Sequence, residues 1–415
     1  MNSPLRVVLW ACVGFAAAPW AHAQEATVPL AQVYQSALAH NPASQAQGQR
    51  IDALKAGREN ANSLTAAPLA LEGSYRSDRN RDNQGLRETS LGLSAPLWLW
   101  NERSTNQNLR QLELAAGEQR AAELKLELAG QVRQVYWNAL AAQLDVDLAQ
   151  ARVISADRLM ADVKRRVDAG DLAKVDLLQA TALRAQAHVE LGRAMSTLST
   201  VGSEFAQLTG LPVTVLNAHG RASTETLPNE TTLNIQGHPL FQAAQNEALL
   251  NGSRADLVAI QRRENPEVGL ALINERAAFG APNEKSLLLS TRIPLGSRTA
   301  HASRLLAARA DETEAQETLK RVGTRIKAQA TAAQANVEWF EKLQGNAQAQ
   351  AELARQVYTL HQKSFALGET DFPTLLRFEQ QAFEAERLAK KSTIEFSTKV
   401  SALLQALGLL PEQAP

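Results

Sequence analysis

Cysteine is almost absent. Cys12 is the single thiol in 415 residues, which excludes an intrachain disulfide framework and any cysteine cage for a metal. Net charge is absent as well. The 43 basic and 43 acidic residues cancel, so nothing here would neutralise a phosphate backbone, and a nucleic-acid partner is excluded. Aromatic residues make up 5%, too few for an aromatic-rich β protein. Long apolar runs are missing: beyond the N-terminus none approaches the roughly 18 residues of a membrane-crossing helix. A chain of this kind meets a membrane only as β-strands or as a surface helix. Proline is missing from two long intervals, between Pro96 and Pro212 and between Pro294 and Pro373. Such intervals indicate long helices, because proline removes a backbone donor and clashes with the preceding turn.

What is present agrees with that. Alanine is about one residue in six, well above ordinary usage. With Gln, Leu, Glu and Arg it makes the composition of long helices. Hydrophobic residues at 45% suit a folded chain rather than a disordered one. Enzyme signatures are missing: there is no HExxH, P-loop, G-x-S-x-G or glycine-rich dinucleotide turn. Among the 7 histidines, His188, His219, His238, His301 and His361 lack ligand spacing, so neither a metal site nor a cofactor is expected.

The N-terminus reads as a targeting segment. Arg6 precedes an apolar run from Val7 to Ala18, and Ala21-His22-Ala23 is a small-x-small cleavage box. A signal peptide over 1–23 is expected, with the mature chain starting at Gln24 and free of thiols, which suits an oxidising periplasm. Lipidation at Cys12 is disfavoured by the bulk of Trp10 and by the apolar run that continues past the cysteine.

The chain repeats itself. Pro96 and Pro294 lie 198 residues apart, as do Gly170 and Gly368. Asn41-Pro42 pairs with His238-Pro239 at an offset of 197, and Pro212 with Pro411 at 199. A nearly constant spacing implies two copies of one unit. The expected division is a first repeat over 24–212, a linker over 213–232, a second repeat over 233–411 and a tail over 412–415.

Each copy has the same internal order. A helical stretch over 30–64 leads to an alternating stretch in which Leu69, Leu71 and Tyr75 oppose Glu72, Ser74 and Arg76. A polar loop over 77–87 follows, then a second alternation of Leu91, Leu93, Ala95 and Leu97. In the second copy Val268, Leu270 and Leu272 lead through a loop over 275–285 to Leu287, Leu289, Thr291 and Ile293. Each copy therefore holds one β-hairpin. The run over 101–168 extends about 100 Å as a helix and must lie along partner helices. Its apolar stripe includes Leu124, Leu128, Val132, Val135, Leu140, Leu144 and Leu148. Both long helices end at a glycine, Gly170 or Gly368, suited to a left-handed cap. Pro373 suits the first turn of the returning helix.

Four strands cannot close a membrane barrel, since known bacterial barrels start at eight and an open edge in lipid leaves backbone groups unpaired. Either the hairpins pack on a soluble surface or several chains share one barrel, and three chains would supply 12 strands. At this point the residues resemble the TolC-type outer-membrane efflux ducts. The resemblance is carried by Ala37-Leu38-Ala39-His40-Asn41-Pro42 and by the strand end Leu93-Ser94-Ala95-Pro96-Leu97-Trp98. The most specific match is Arg166-x-x-x-Gly170 followed by Asp176-Leu177-Leu178-Gln179-Ala180. The resemblance implies a mainly α fold with a small β part: a homotrimer whose long coiled-coil helices form an α-barrel below a shared 12-stranded transmembrane β-barrel. It implies residence in the outer membrane with a periplasmic helical domain, and passive conduction. The implied partners are a periplasmic adaptor (membrane fusion protein), an inner-membrane pump of the resistance–nodulation–division type and outer-membrane lipid. Pro96-Leu97-Trp98-Leu99-Trp100 is most like the heavy-metal branch.

The resemblance assigns adaptor docking to Arg166, Gly170, Asp171, Leu172, Gly368 and Glu369. Family members narrow the tunnel with acids on the second returning helix, but the matching positions here are Thr374 and Arg377. The candidate mouth acids are therefore Asp171, Asp176, Glu369 and Asp371. Asp176 is equally suited to capping or pairing on a neighbouring helix. Trp98 and Trp100 suit a membrane-interface belt, and equally a packed strand–helix junction. The alternative function is a periplasmic helical adaptor or scaffold with no barrel.

Overall fold

The computed structural model describes residues 28–80, 82–216, 225–227 and 233–411. The expected signal peptide, most of the expected linker and the tail over 412–415 lie outside the described residues. The first repeat runs α1 (Leu30–His40), α2 (Pro42–Asn60), β1 (Ala70–Ser77), β2 (Arg87–Pro96), α3 (Glu102–Ala169) and α4 (Lys174–Thr209). A short 3-10 turn at Val213–Val215 follows. The second runs α5 (Pro239–Ile260), β3 (Glu267–Arg276), β4 (Glu284–Arg292), α6 (Arg298–Ala366) and α7 (Phe372–Ala406). The helical stretch expected over 30–64 is two helices rather than one. Asn41 breaks it, because its side chain turns back to accept hydrogen bonds from the Ala43 and Ser44 amides at 2.8 and 3.3 Å and Pro42 takes the first helical position.

The two long helices, 68 and 69 residues, are each about 100 Å from end to end. In the half nearer the glycine tips the helices lie side by side in the order α4–α3–α7–α6, and in the half nearer the strands in the order α2–α3–α5–α6. The result is a wall four helices wide. At mid-height α1 packs on α3 and α4. There Leu30, Val33, Tyr34 and Ala37 meet Leu128, Val132, Tyr136, Trp137, Leu140 and Phe205 in the main core.

The four strands form one antiparallel sheet in the order β1-β2-β3-β4. Its register puts Leu71, Leu93, Leu270 and Leu289 in one cross-strand row, with Leu91, Leu272 and Leu287 in the next row on the same face. The opposite face carries Ser94, Gly269 and Ser290 in one row and Glu72, Gly92, Ala271 and Leu288 in another. Its two glycines leave no room for a side chain. A Cβ on Gly92 would sit 2.6 Å from the Ala271 Cβ, and one on Gly269 2.5 Å from the Ser290 Oγ. The sheet is joined to the helices through Glu102, a fully buried carboxylate. It accepts the Leu99 amide at 2.9 Å, Gln261 at 2.8 Å and Asn265 at 2.7 Å, so no oxygen is left orphaned.

A second buried polar group ties the repeats to each other. Arg133 on α3 and Glu225, in the segment between the repeats, are each 4% exposed and pair at 2.6 Å. Arg133 also donates to the Leu409 carbonyl at 3.0 Å and to Gln405. Glu225 accepts from the Ser401 hydroxyl, which accepts from the Trp137 indole at 2.8 Å. Burial, and then the Glu225 charge, pushes the neighbouring Tyr136 hydroxyl up to about 12. Removing one partner leaves a charge buried without compensation. Glu225→Ala is therefore expected to cost about 3–5 kcal/mol, read as a lower denaturant midpoint. The paired change Arg133→Met with Glu225→Leu should cost clearly less. An equal loss in the two proteins would mean that packing rather than charge holds the joint.

Candidate functional site

The two glycine tips are built alike. At the end of α3 the Asp171 amide donates to the Arg166 carbonyl at 2.8 Å and the Gly170 amide to the Val167 carbonyl at 3.1 Å. At the end of α6 the Glu369 amide donates to Ser364 at 3.0 Å and the Gly368 amide to Phe365 at 3.2 Å. Both are the 6→1 and nested bonds that close a helix on a left-handed residue, and both glycines have positive φ, 87° and 79°. Nothing lies within 4 Å of a Cβ built on either glycine, so these positions require backbone freedom and not space.

Arg166 joins the tips. Its guanidinium donates to the Phe365 carbonyl at 3.1 Å, lies over the Phe365 ring at 4.6 Å and pairs with Asp162 on its own helix at 3.3 Å. Beneath it Val163, Ala180, Phe365, Phe372 and Leu375 form a small core from all four tip helices, with Leu172 packed against it. Its neighbour Arg165 points to solvent and pairs with Asp162.

The four candidate acids separate. Asp176 accepts the Ala173 amide at 3.1 Å and so closes the first turn of α4, the capping alternative. Asp171, Glu369 and Asp371 are exposed; Glu369 is 3.5 Å from the Ser364 hydroxyl. Arg377 is exposed too, its guanidinium 4.9 Å from the Phe378 ring. The tryptophans also divide. The Trp98 indole donates to the Ser63 carbonyl at 3.3 Å, packed into the strand–helix junction. Trp100 is 89% exposed, close in sequence to the sheet and matched in exposure by Leu295 at 92%.

Sequence reasoning missed the charges that rung the hairpins together above the tips. Arg152 on α3 pairs with Glu190 on α4 at 3.2 Å and lies 4.4 Å from the Phe383 ring on α7. Lys391 on α7 pairs with Asp145 on α3 at 2.7 Å. Arg152 also opposes the effect of burial on Glu379, which nevertheless pushes that carboxyl up. These partners lie on different helices and follow no local spacing, so no sequence signal could have found them. Among the described residues no group of His, Cys, Asp and Glu is arranged to hold a metal, and no helix is long and apolar enough to cross a membrane.

At the opposite end, the loops of the two β-hairpins are fastened to each other. Asp78 accepts the Gln84 and Gly85 amides at 2.6 and 3.0 Å. The Phe279 amide donates to Gln84 at 2.8 Å, and Arg276 donates to the Gly85 carbonyl at 3.2 Å.

Both layers end in unpartnered edges. No strand among the described residues pairs with the outer side of β1 or β4, and the leucine face of the sheet is exposed, Leu71 at 70% and Leu289 at 68%. Along α4 the exposed residues Val175, Leu178, Ala182, Ala185, Val189 and Gly192 recur alternately three and four apart, the spacing of a coiled-coil seam. Along α6, Leu353, Val357 and Leu360 keep the same spacing, and the exposed Leu367 lies just past its end. These are the two outer helices of the wall at the tip end.

Residues 33–210 match the family model described as outer membrane efflux protein. The cobalt-zinc-cadmium resistance protein CzcC of Cupriavidus metallidurans is 24% identical over 216 residues, half of each chain. The chain thus matches about half the length of that curated relative. Among solved structures, the Campylobacter jejuni CmeC outer membrane channel superposes with a TM-score of 0.74 at 14% identity, covering 93% of this chain and 87% of that one. CusC, described in terms of folding and transmembrane channel formation, superposes with a TM-score of 0.73 at 14% identity, covering 92% of each chain. At these identities the likeness establishes the fold.

The tip geometry makes a local prediction. Gly170→Val meets no neighbour, so its cost is backbone strain alone, about 1–3 kcal/mol. Limited proteolysis should show faster cleavage near 170 with the rest of the chain as resistant as before. Gly92→Val, which collides with the facing strand, should instead abolish folding of the sheet, read as loss of the heat-resistant β signal in circular dichroism.

Proposed function

We propose that this chain is the passive exit duct of a tripartite efflux system, a reading supported by the match of residues 33–210 to the outer membrane efflux protein family. Three copies complete one tube. The β4 edge of one copy pairs with the β1 edge of the next, giving a 12-stranded barrel in the outer membrane, and α6 of one copy packs its apolar stripe on α4 of the next in the periplasm. The observation that carries this reading is the sheet: an outward face rich in leucine, an inward face of mainly small and polar residues with Ile273 and Leu288 among them, and two open edges. A leucine face of this size is costly in water and favourable in lipid, whereas the open edges are tolerable in lipid only if another chain closes them. That argues against the alternative of a soluble periplasmic scaffold.

The division into repeats over 24–212 and 233–411 follows the same reading, each copy supplying one hairpin to the barrel and one helical hairpin to the tunnel. The joined loops near 80 and 279 then face the cell exterior, and Trp100 and Leu295 lie at the periplasmic boundary of the outer membrane. The tips, with Arg166, Gly170, Asp171, Leu172, Gly368 and Glu369, form the periplasmic mouth, where an adaptor docks below an inner-membrane pump of the resistance–nodulation–division type. With Asp176 engaged at the Ala173 amide, Asp171, Glu369 and Asp371 are the acids that give the mouth its charge. The cargo class suggested by the name of the relative CzcC is heavy-metal cations, and an acidic mouth is suited to them.

The test is conductance. Full-length protein in planar bilayers should form cation-preferring channels. Replacing Asp171, Glu369 and Asp371 together with their amides should reduce cation preference or raise conductance. Wild-type protein that inserts without conducting would sink the duct reading; unchanged conductance and selectivity in the triple variant would place the constriction elsewhere. A peptide epitope inserted at Asn80 should bind antibody on intact cells, and binding only after the outer membrane is permeabilised would reverse the proposed orientation.

A further inference from the structure

Asn41 and His238 hold the same place in the two repeats, and they do the job with different chemistry. Each precedes a proline and caps a helix. Asn41 does so with an amide oxygen, which accepts at any pH. His238 does so with Nδ1, which accepts the Leu240 amide at 3.2 Å. An imidazole nitrogen accepts only when it carries no proton, so the cap requires the neutral ring with its hydrogen on Nε2. That side of the ring faces the end of α7, where the Ala406 backbone favours the charged form. The ring also lies on Gly408, where a Cβ would come within 2.9 Å of it.

In the first repeat these tasks are divided. The end of α4 is held by the Ser36 hydroxyl, which donates to the Thr209 carbonyl at 2.8 Å, while the exposed His40 only borders Gly210. In the second repeat one buried ring, 2% exposed, both caps α5 and fastens α7.

We propose that His238 is a proton-labile fastener between the start of α5 and the end of α7, so that acid loosens the second repeat at mid-height and leaves the first intact. Protonation puts a hydrogen on Nδ1, facing the Leu240 N–H, and places a charge in a buried site. Burial and the Ala406 backbone act on the ring, and no charged group has a resolved effect on it. The adjoining cavity, about 750 Å³, presents Glu123 and Glu127 from α3, Lys399 from α7 and only the neutral Gln329 and Asn336 from α6. Arg133, on the far side of α7, is already committed to Glu225, Gln405 and Leu409.

Burial holds the His238 ring below its ordinary value, against the opposing effect of the bond to Ala406. The neutral ring is therefore favoured by folding. Its contribution is complete above the unfolded value of about 6.5 and is lost as pH falls from there through the lower folded value. Glu123 acts in the opposite sense. Burial pushes its carboxyl up, so acid relieves a cost there. The two repeats must therefore be compared within one molecule.

The experiment is hydrogen exchange by mass spectrometry on the full-length, detergent-solubilised protein at about pH 7.5 and about pH 5, with rates corrected for intrinsic exchange. Peptides at the start of α5 and the end of α7 are expected to lose protection about tenfold relative to those at the start of α2 and the end of α4. His238→Asn should remove that difference, and Asn41→His should create one in the first repeat. Should His238→Asn fail to fold, the wild-type comparison still decides. A ratio between the repeats that does not change with pH overturns the proposal, as does a pH response that survives in His238→Asn.

Discussion

The outer edges of β1 and β4 control the rest of the molecule. A strand edge carries a row of backbone donors and acceptors, and proteins usually cover or blunt it. Here neither edge is covered among the described residues, and the sheet between them turns leucines outward. Neither feature is stable alone in water, and an open edge is not stable in lipid either. The helical wall has the same property, ending at α4 and α6 with apolar stripes at coiled-coil spacing. Two layers, built from different secondary structures, are thus incomplete at the same two sides. In the proposed trimer one operation, rotation about a common axis, would complete both.

Duplication explains how so long a chain stays regular, and the differences between the copies show where regularity was not needed. The tips keep the same backbone bonds at the same offset, because any helix that reverses on one residue needs a left-handed position. The caps at Asn41 and His238 share geometry and differ in chemistry. The joint between copies, Arg133 with Glu225, Ser401 and Trp137, has no counterpart within either repeat among the described residues. It fixes the end of α7 to α3 through a segment that belongs to neither helical hairpin.

Much of this was readable from residues. Gly170 and Gly368 announced helix ends because a left-handed cap favours one residue type. Proline-free intervals announced α3 and α6 because proline is excluded from helix interiors. The leucine alternation announced the strands because a one-sided sheet repeats every two residues. The remainder depended on pairings across long sequence separations. Arg133 meets Glu225 across 92 residues and Gln405 across 272, and Glu102 meets Gln261 across 159. No periodicity encodes those contacts. Asp176 shows the limit at short range: its position allowed either a cap or a pore-lining acid, and the bond from the Ala173 amide, which shows the cap, is not readable from spacing. Asn41 was visible as a repeat landmark, but its side-chain bonds were needed to show that it splits one helical stretch into two.

The central claim is that one chain is a third of a closed tube. Native mass spectrometry of the full-length protein released from detergent micelles or lipid nanodiscs tests it most directly. The account predicts a dominant species of three chains, each about 45.0 kDa less any cleaved leader, that persists on dilution because both layers close only together. A monodisperse single chain, folded and stable under the same conditions, would contradict it.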